Sequence, residues 1–398
     1  MKKLFNILVL AVVLAGCCRE TAVRLEGGRL LVDGAPYTVR GVNWACYPVG
    51  TNYAYNFWDE PDSVVTAQLD YEMGLLRDMG VNTVRIYAGI PPRWITYIWE
   101  HYGIRTMVNC TLGRYGVRVH GDWDPHTDYA DADVCRQLVE EAGAMAETYR
   151  GTAGLLCYLL GNENNYGLFW DGPETEDIPV PDTLSTERAI ALYAAVNESA
   201  KAVKAVDPQS LVSLVNGDVL FLDLVETLCP DVDILGVNTY RGPSFTDLFD
   251  TVAGRSSKPL LLTEFGSDAY NVLLEAEEQD GQAAIDLANW QEILAEYNAG
   301  RCLGGFTFQF SDEWWKHGQD VRLDEHDTEP SWHNGGYAFD YVRGRENMNE
   351  EWFGLCAKRP ASSPLRLYDL APRKAYFALQ ALFNSPSPRS NSPSPRSN

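Results

Sequence analysis

Leu159-Leu160-Gly161-Asn162-Glu163 and, farther along, Leu260-Leu261-Leu262-Thr263-Glu264-Phe265-Gly266 each close an apolar run on a glutamate, where a buried strand should open into a loop. A short continuous apolar run bounded by turn residues marks a strand covered on both faces, as in a parallel sheet flanked by helices. Gly161 and Gly266 let the backbone turn away beside each carboxylate. A carboxylate at the mouth of such a strand is only partly solvated. Two of them in different environments can divide acid and nucleophile roles.

Outward from these phrases, strand-like and helix-like runs alternate. Strands are predicted at 38–43, 83–87, 105–109, 155–160, 211–215, 233–238, 259–263 and 304–310. Helices are predicted at 64–79, 92–102, 132–149, 185–206, 219–228, 244–252, 283–297 and 373–383. A βαβα period implies a parallel sheet, and eight such units match a (β/α)8 TIM barrel. An open doubly wound sheet is the alternative. The two glutamate phrases then fall on the fourth and seventh strands. Before the first strand, residues 23–34 alternate around Gly27-Gly28 and Asp33-Gly34, which reads as a small hairpin closing the bottom of the barrel. After the eighth, the stretch 310–370 is too long for a plain βα loop and carries Trp314, Trp315, Trp332, Tyr337 and Trp352, so it should carry function.

The 398-residue chain is 45% hydrophobic, enough to bury a large core, and its formal charge of −23 argues against nucleic acid or an anionic membrane surface as partner. Neutral partners such as sugars remain, and the 11 Trp and 21 Tyr suit stacking on the apolar faces of pyranose rings. Lys2-Lys3, an apolar stretch over 4–14 and Leu14-Ala15-Gly16-Cys17 form an export signal too short to span a bilayer. Leu14 to Cys17 resembles the bacterial lipobox, which implies a signal over 1–16, lipidation of Cys17 and an exported lipoprotein whose membrane contact is that anchor. Ordinary signal cleavage is the alternative. Cys18 follows in place of an Asp, so nothing here resembles the usual inner-membrane retention signal. Seven further cysteines are scattered singly, with no C-x-x-C pair, so no zinc site is expected; one disulfide stays open without a choice of pair. The tail over 384–398 repeats itself and reads as disordered low complexity, which leaves 23–383 as a single catalytic barrel.

The placement of Asn162-Glu163 and Glu264 resembles the clan A glycoside hydrolases. The hairpin feeding Arg40-Gly41-Val42-Asn43-Trp44 resembles the entry to the family 2 catalytic barrel, and family 5-like enzymes share the pattern. Gly80-Val81-Asn82-Thr83-Val84-Arg85-Ile86-Tyr87 resembles the second strand, whose Arg supports the nucleophile. Family 2 enzymes carry sandwich domains before the barrel; this sequence reads as a standalone relative. The resemblance implies a retaining mechanism with carboxyl groups roughly 5–5.5 Å apart. Glu163 is then acid and later base, Glu264 the nucleophile, and Asn162 the partner of the sugar 2-hydroxyl. Arg85 and Tyr240 hold the nucleophile, with Asn238, Asn109 and Trp44 as further binding or supporting residues. Where related barrels carry a Trp near the end of strand eight, this chain has Phe308, so the sugar platform is Phe308, or Trp314 and Trp315 from the loop. No metal or organic cofactor is required. β-Glucan, β-mannan and β-galactoside are all open as substrates. A transglycosylase using the same carboxylates and a non-catalytic glycan-binding lipoprotein are the alternatives.

Overall fold

In a computed structural model of the chain, residues 22–87, 89–169, 180–272, 274–329 and 348–385 are described. The export signal with Cys17, the loop residues Trp332 and Tyr337, and the tail from 386 onward lie outside them. The eight apolar runs form strands β1 (Val39–Asn43), β2 (Thr83–Ile86), β3 (Arg105–Cys110), β4 (Leu155–Leu160), β5 (Val212–Gly217), β6 (Ile234–Asn238), β7 (Leu260–Phe265) and β8 (Cys302–Thr307). Each pairs in parallel with its chain neighbour, and β8 pairs with β1 through Gly304 to Val39 and Thr307 to Val42, so the sheet closes on itself.

Helices α1 (Asp62–Met79), α2 (Pro92–Tyr102), α3 (Ala132–Tyr149), α4 (Thr183–Val206), α5 (Leu222–Leu228), α6 (Leu248–Arg255), α7 (Gln279–Ala299) and α8 (Lys374–Phe383) surround the barrel. Local chemistry sets several of their ends. Asp131 and Asp182 cap α3 and α4 by accepting backbone N–H groups of the first turn, and Gly80 and Gly300 end α1 and α7 in the left-handed region. Helix α7 begins four residues before the expected 283. Its polar, glycine-containing first turn looks like a loop, yet the Glu278 carboxylate caps it from Asp280 and Gly281. Strand β8 ends at Thr307, short of the expected 310, because Phe308 makes the last bond to β7, its amide to Phe265 O, and Gln309 donates instead to Phe353 O.

Strand alternation sorts the apolar residues into two shells. Val84, Ile86, Val108, Leu235, Val237, Leu260 and Leu262 face the helices, whereas Val39, Met107, Leu159, Ile234, Leu261 and Phe306 fill the barrel interior. The N-terminal hairpin, Val23–Glu26 against Arg29–Val32, adds Leu30 and Val32 to the interior cluster and closes the end opposite the carboxylates. Burying each such side chain contributes about 1.5–3 kcal/mol, so the lower barrel is a rigid plug beneath the site.

Candidate active site

The upper end of the barrel is polar where the lower end is apolar. Alternation along β2 and beyond directs Arg85 and Tyr87 inward, and the same parity on β1, β3 and β6 directs Asn43, Asn109, Asn238 and Tyr240 inward. Glu264 breaks this parity. Leu260 and Leu262 face the helices, so strict alternation would send Glu264 outward too. Between β6 and β7 the register slips: Val237 pairs with Leu262 but Asn238 pairs with Glu264, a bulge that inserts Thr263 and turns the glutamate into the barrel.

Glu264 is 6% exposed and heavily served by donors. Arg85 Nη1 donates to Oε1 at 2.8 Å, Tyr87 Oη donates to the same oxygen at 2.6 Å, and Tyr240 Oη donates to Oε2 at 2.8 Å. Arg85 is fully buried and also donates to Asn109 Oδ1 and Asn162 Oδ1, both at 2.8 Å. Burial, then the neighbouring charge of Glu264, pushes the Tyr240 phenol well above its ordinary range, so it stays a donor.

Glu163 reaches the same space by a different route. Gly161 turns the chain with φ +79°, and a Cβ there would meet Asn164 Oδ1 at 2.6 Å. Glu163 itself sits in the left-handed region at φ +58°, held by its amide on Val215 O at 3.0 Å, a conformation that costs about 1–3 kcal/mol and clusters at functional sites. Asn238 Nδ2 donates to Glu163 Oε1 at 3.0 Å and to Asn162 Oδ1 at 3.1 Å, while Asn238 Oδ1 accepts from Thr263 Oγ1 at 2.7 Å. One asparagine thus ties the strand-four and strand-seven phrases together.

Of the residues expected at the site, Arg85, Asn109, Asn162, Glu163, Asn238, Tyr240 and Glu264 form this one network. Trp44 does not. It is 1% exposed, packs against Phe57 and Trp58, and donates its indole N–H to Glu72 in α1 at 2.5 Å: its amide still bonds Arg85 O of β2, but it follows the inward-facing Asn43 and so points out toward the helices. Phe308 is also a correction to the platform reading: it is 4% exposed and edge-packed against Tyr240 and Phe353, a wall behind the tyrosine. Trp314 stacks on His326, which stacks on Trp352; Trp315 sits edge-on to Tyr47 and Tyr53 with Lys316 Nζ over its ring.

Sequence reasoning left out Tyr87, Asn43 and Tyr115. Tyr87 follows Arg85 by two residues and Asn43 ends β1, so the strand period alone would have found both. Asn43 Nδ2 donates to Tyr87 Oη at 2.6 Å. Tyr115 comes from the loop after β3 and accepts from Asn162 Nδ2 at 2.9 Å, which no local pattern foretells. Among the described residues, His317, Asp327 and Glu329 are near enough to suggest a cation, but Arg322 already pairs with Asp327 at 3.0 Å.

No protein-family model and no curated protein sequence matches the chain. Solved structures do. β-Glucuronidase 2 of Bacteroides uniformis, solved covalently bound to a cyclophellitol-6-carboxylate aziridine, superposes with a TM-score of 0.60 at 14% identity over 91% of this chain and 37% of its own. A β-D-glucuronidase of Dictyoglomus thermophilum gives 0.54 at 13% identity, covering 92% of this chain and 54% of its own. A family GH2 β-galacturonidase of Eisenbergiella tayi, bound to galacturonate, gives the same values. The chain therefore spans between about a third and a half of the length of these structures. At such identity the likeness is one of fold: this chain is a (β/α)8 barrel with the architecture that these enzymes share.

Proposed function

We propose that the chain is a retaining β-glycosidase that cleaves a β-linked oligo- or polysaccharide by double displacement. The observation that carries this reading is the unequal treatment of two carboxyls in one network. Glu264 is buried under donors from Arg85, Tyr87 and Tyr240, whereas Glu163 is half-buried on a left-handed turn beside Asn238. A carboxylate stabilised by an arginine and two phenols is ionised and oriented, as a nucleophile must be. A half-buried carboxyl exchanges its proton with an incoming leaving group or water.

In the first step Glu163 gives its proton to the glycosidic oxygen while Glu264 forms a bond to C1 and the aglycone departs. In the second, Glu163 takes a proton from water, water attacks C1, and the bond to Glu264 breaks with inversion a second time. Asn162, fixed by Arg85 and Asn238, presents its amide toward the sugar 2-hydroxyl, where a hydrogen bond strengthens as positive charge builds on the ring. The similar barrels belong to β-glucuronidases and a β-galacturonidase, which supports a β-glycoside as substrate. Tyr115 and Tyr53, about half exposed, supply aromatic surface for further sugar units.

The test is Glu264→Gly with an activated aryl β-glycoside and azide. Azide entering the vacated space should yield an α-glycosyl azide; a β-azide, or turnover equal to the parent without azide, would overturn the assignment. We also propose export and lipidation at Cys17, from the sequence alone; Cys17→Ala should release the protein from membranes, and unchanged partition would refute it.

A further inference from the structure

Shortly after β8, beyond Phe308-Gln309-Phe310, the chain runs Ser311-Asp312-Glu313-Trp314-Trp315-Lys316. Asp312 and Glu313 are adjacent, both buried, and differently treated. Asp312 accepts from Arg373 Nη1 at 2.6 Å, from Arg373 Nη2 at 2.7 Å and from the Gly354 amide at 3.1 Å, which answers its charge and pins the turn. Glu313 is 4% exposed and makes no ion pair among the described residues. Burial raises its carboxyl above the ordinary range and the charge of Glu264 adds to that rise, while Lys316, Lys358 and the Trp315 side chain oppose it.

The turn that carries Glu313 lies against the catalytic network. The Trp315 ring is 5.7 Å from that of Tyr47, and Lys316 Nζ lies 5.1 Å over Phe308, whose ring packs edge-on to Tyr240 at 6.2 Å, the donor to Glu264 Oε2. Glu313 is thus a buried carboxyl on a turn that adjoins the wall of the site. A buried carboxyl that its own protein leaves without an ion pair is costly, and such groups persist where a ligand completes them.

Building on the glycosidase reading, we propose that Glu313 is a third substrate-facing carboxyl, which hydrogen-bonds hydroxyls of a neutral glycosyl residue seated against Glu264 and disfavours a residue carrying its own carboxylate. A carboxyl accepts from hydroxyl groups in either protonation state, and when protonated it also donates. A uronate would bring a further negative charge beside Glu313 and Glu264. The cations nearby are engaged: Arg85 with Glu264, Lys316 with Glu350 at 3.4 Å, and Lys358 with Tyr47 O at 2.5 Å. The loop after β8 would then set this chain apart from the uronide-cleaving enzymes that share its fold.

The experiment titrates the full chain with a neutral six-carbon iminosugar and with its C6-carboxylate counterpart. The parent protein should bind the neutral probe at least about 10-fold more tightly, and Glu313→Gln should weaken the neutral probe by about 10- to 100-fold while closing most of the gap. Thermal melting checks that the variant is folded; if it is not, Glu313→Asp takes its place with the same expectation. A parent that binds the carboxylate probe as tightly or more tightly overturns the proposal, and so does a gap that the folded variant leaves unchanged. Both of those outcomes leave the glycosidase reading standing. Absence of binding to either probe, together with failed azide rescue of Glu264→Gly, removes that reading and this proposal with it.

Discussion

Tyr240→Phe deletes one hydroxyl from the network and leaves its packing in place, since the ring keeps its edge contacts with Phe308 and Phe353. What is lost is the 2.8 Å hydrogen bond to Glu264 Oε2. A hydrogen bond to a charged group contributes about 1.5–3 kcal/mol, or about 10- to 150-fold in a rate that depends on it. The two chemical steps depend on it unequally. During glycosylation Glu264 gives up charge as it bonds to C1, so the bond is strongest in the ground state. During deglycosylation the carboxylate regains its charge as it leaves, so the bond is strongest at the transition state. The second step should therefore slow by the full factor and the first by much less. With a dinitrophenyl β-glycoside of an accepted sugar, kcat should fall about 10- to 150-fold, KM should fall with it, and a burst of phenolate should appear as the glycosyl-enzyme accumulates. Folding should hardly notice, with Tm lowered by no more than about 4 °C. Equal falls in kcat and kcat/KM without a burst would refute the argument, because the phenol would then act on the first step or merely on the fold.

Other outcomes follow from the same geometry. Glu163→Ala should cripple substrates with poor leaving groups far more than activated aryl glycosides, whose departure needs little proton transfer; equal losses would remove Glu163 from the acid role. Arg85→Met leaves the Glu264 carboxylate in its buried site without its cation and should cost about 3–5 kcal/mol in urea unfolding as well as activity, and a loss below about 1 kcal/mol would contradict the pairing. Glu351, in the loop after β8, accepts from the amides of Asp327 and His317, yet burial pushes its carboxyl up to about 7 from an ordinary 4.5. A raised folded value means that its contribution is complete below about pH 4.5 and lost as pH climbs through 7, so the parent should lose more stability between pH 5 and 8 than Glu351→Gln, and parallel pH curves would exclude it.

Much of the site was legible because a strand repeats every two residues. Once Thr83 to Tyr87 reads as a strand, Arg85 and Tyr87 share a face, and the same parity aligns Asn238 with Tyr240. Parity gives the wrong side for Glu264, since the bulge at Thr263 is a property of two strands in register and has no mark in either alone. For Trp44 the parity itself gives the answer: it follows the inward-facing Asn43, so its side chain points out to α1, where Glu72 accepts its indole N–H. Tyr115 and Glu313 lie on loops, whose paths depend on what the rest of the fold holds down, as Arg373 holds Asp312.

Apolar runs, turn residues and their order were enough by themselves to specify an eight-stranded barrel with Glu163 and Glu264 at one end, because burial and backbone hydrogen bonding act on short segments. Tertiary structure alone decided that Asn238 ties Glu163 to the strand that carries Glu264, and that three donors from the ends of β2 and β6 converge on Glu264. These are distances between segments far apart in the chain, and they exist only once the sheet has closed.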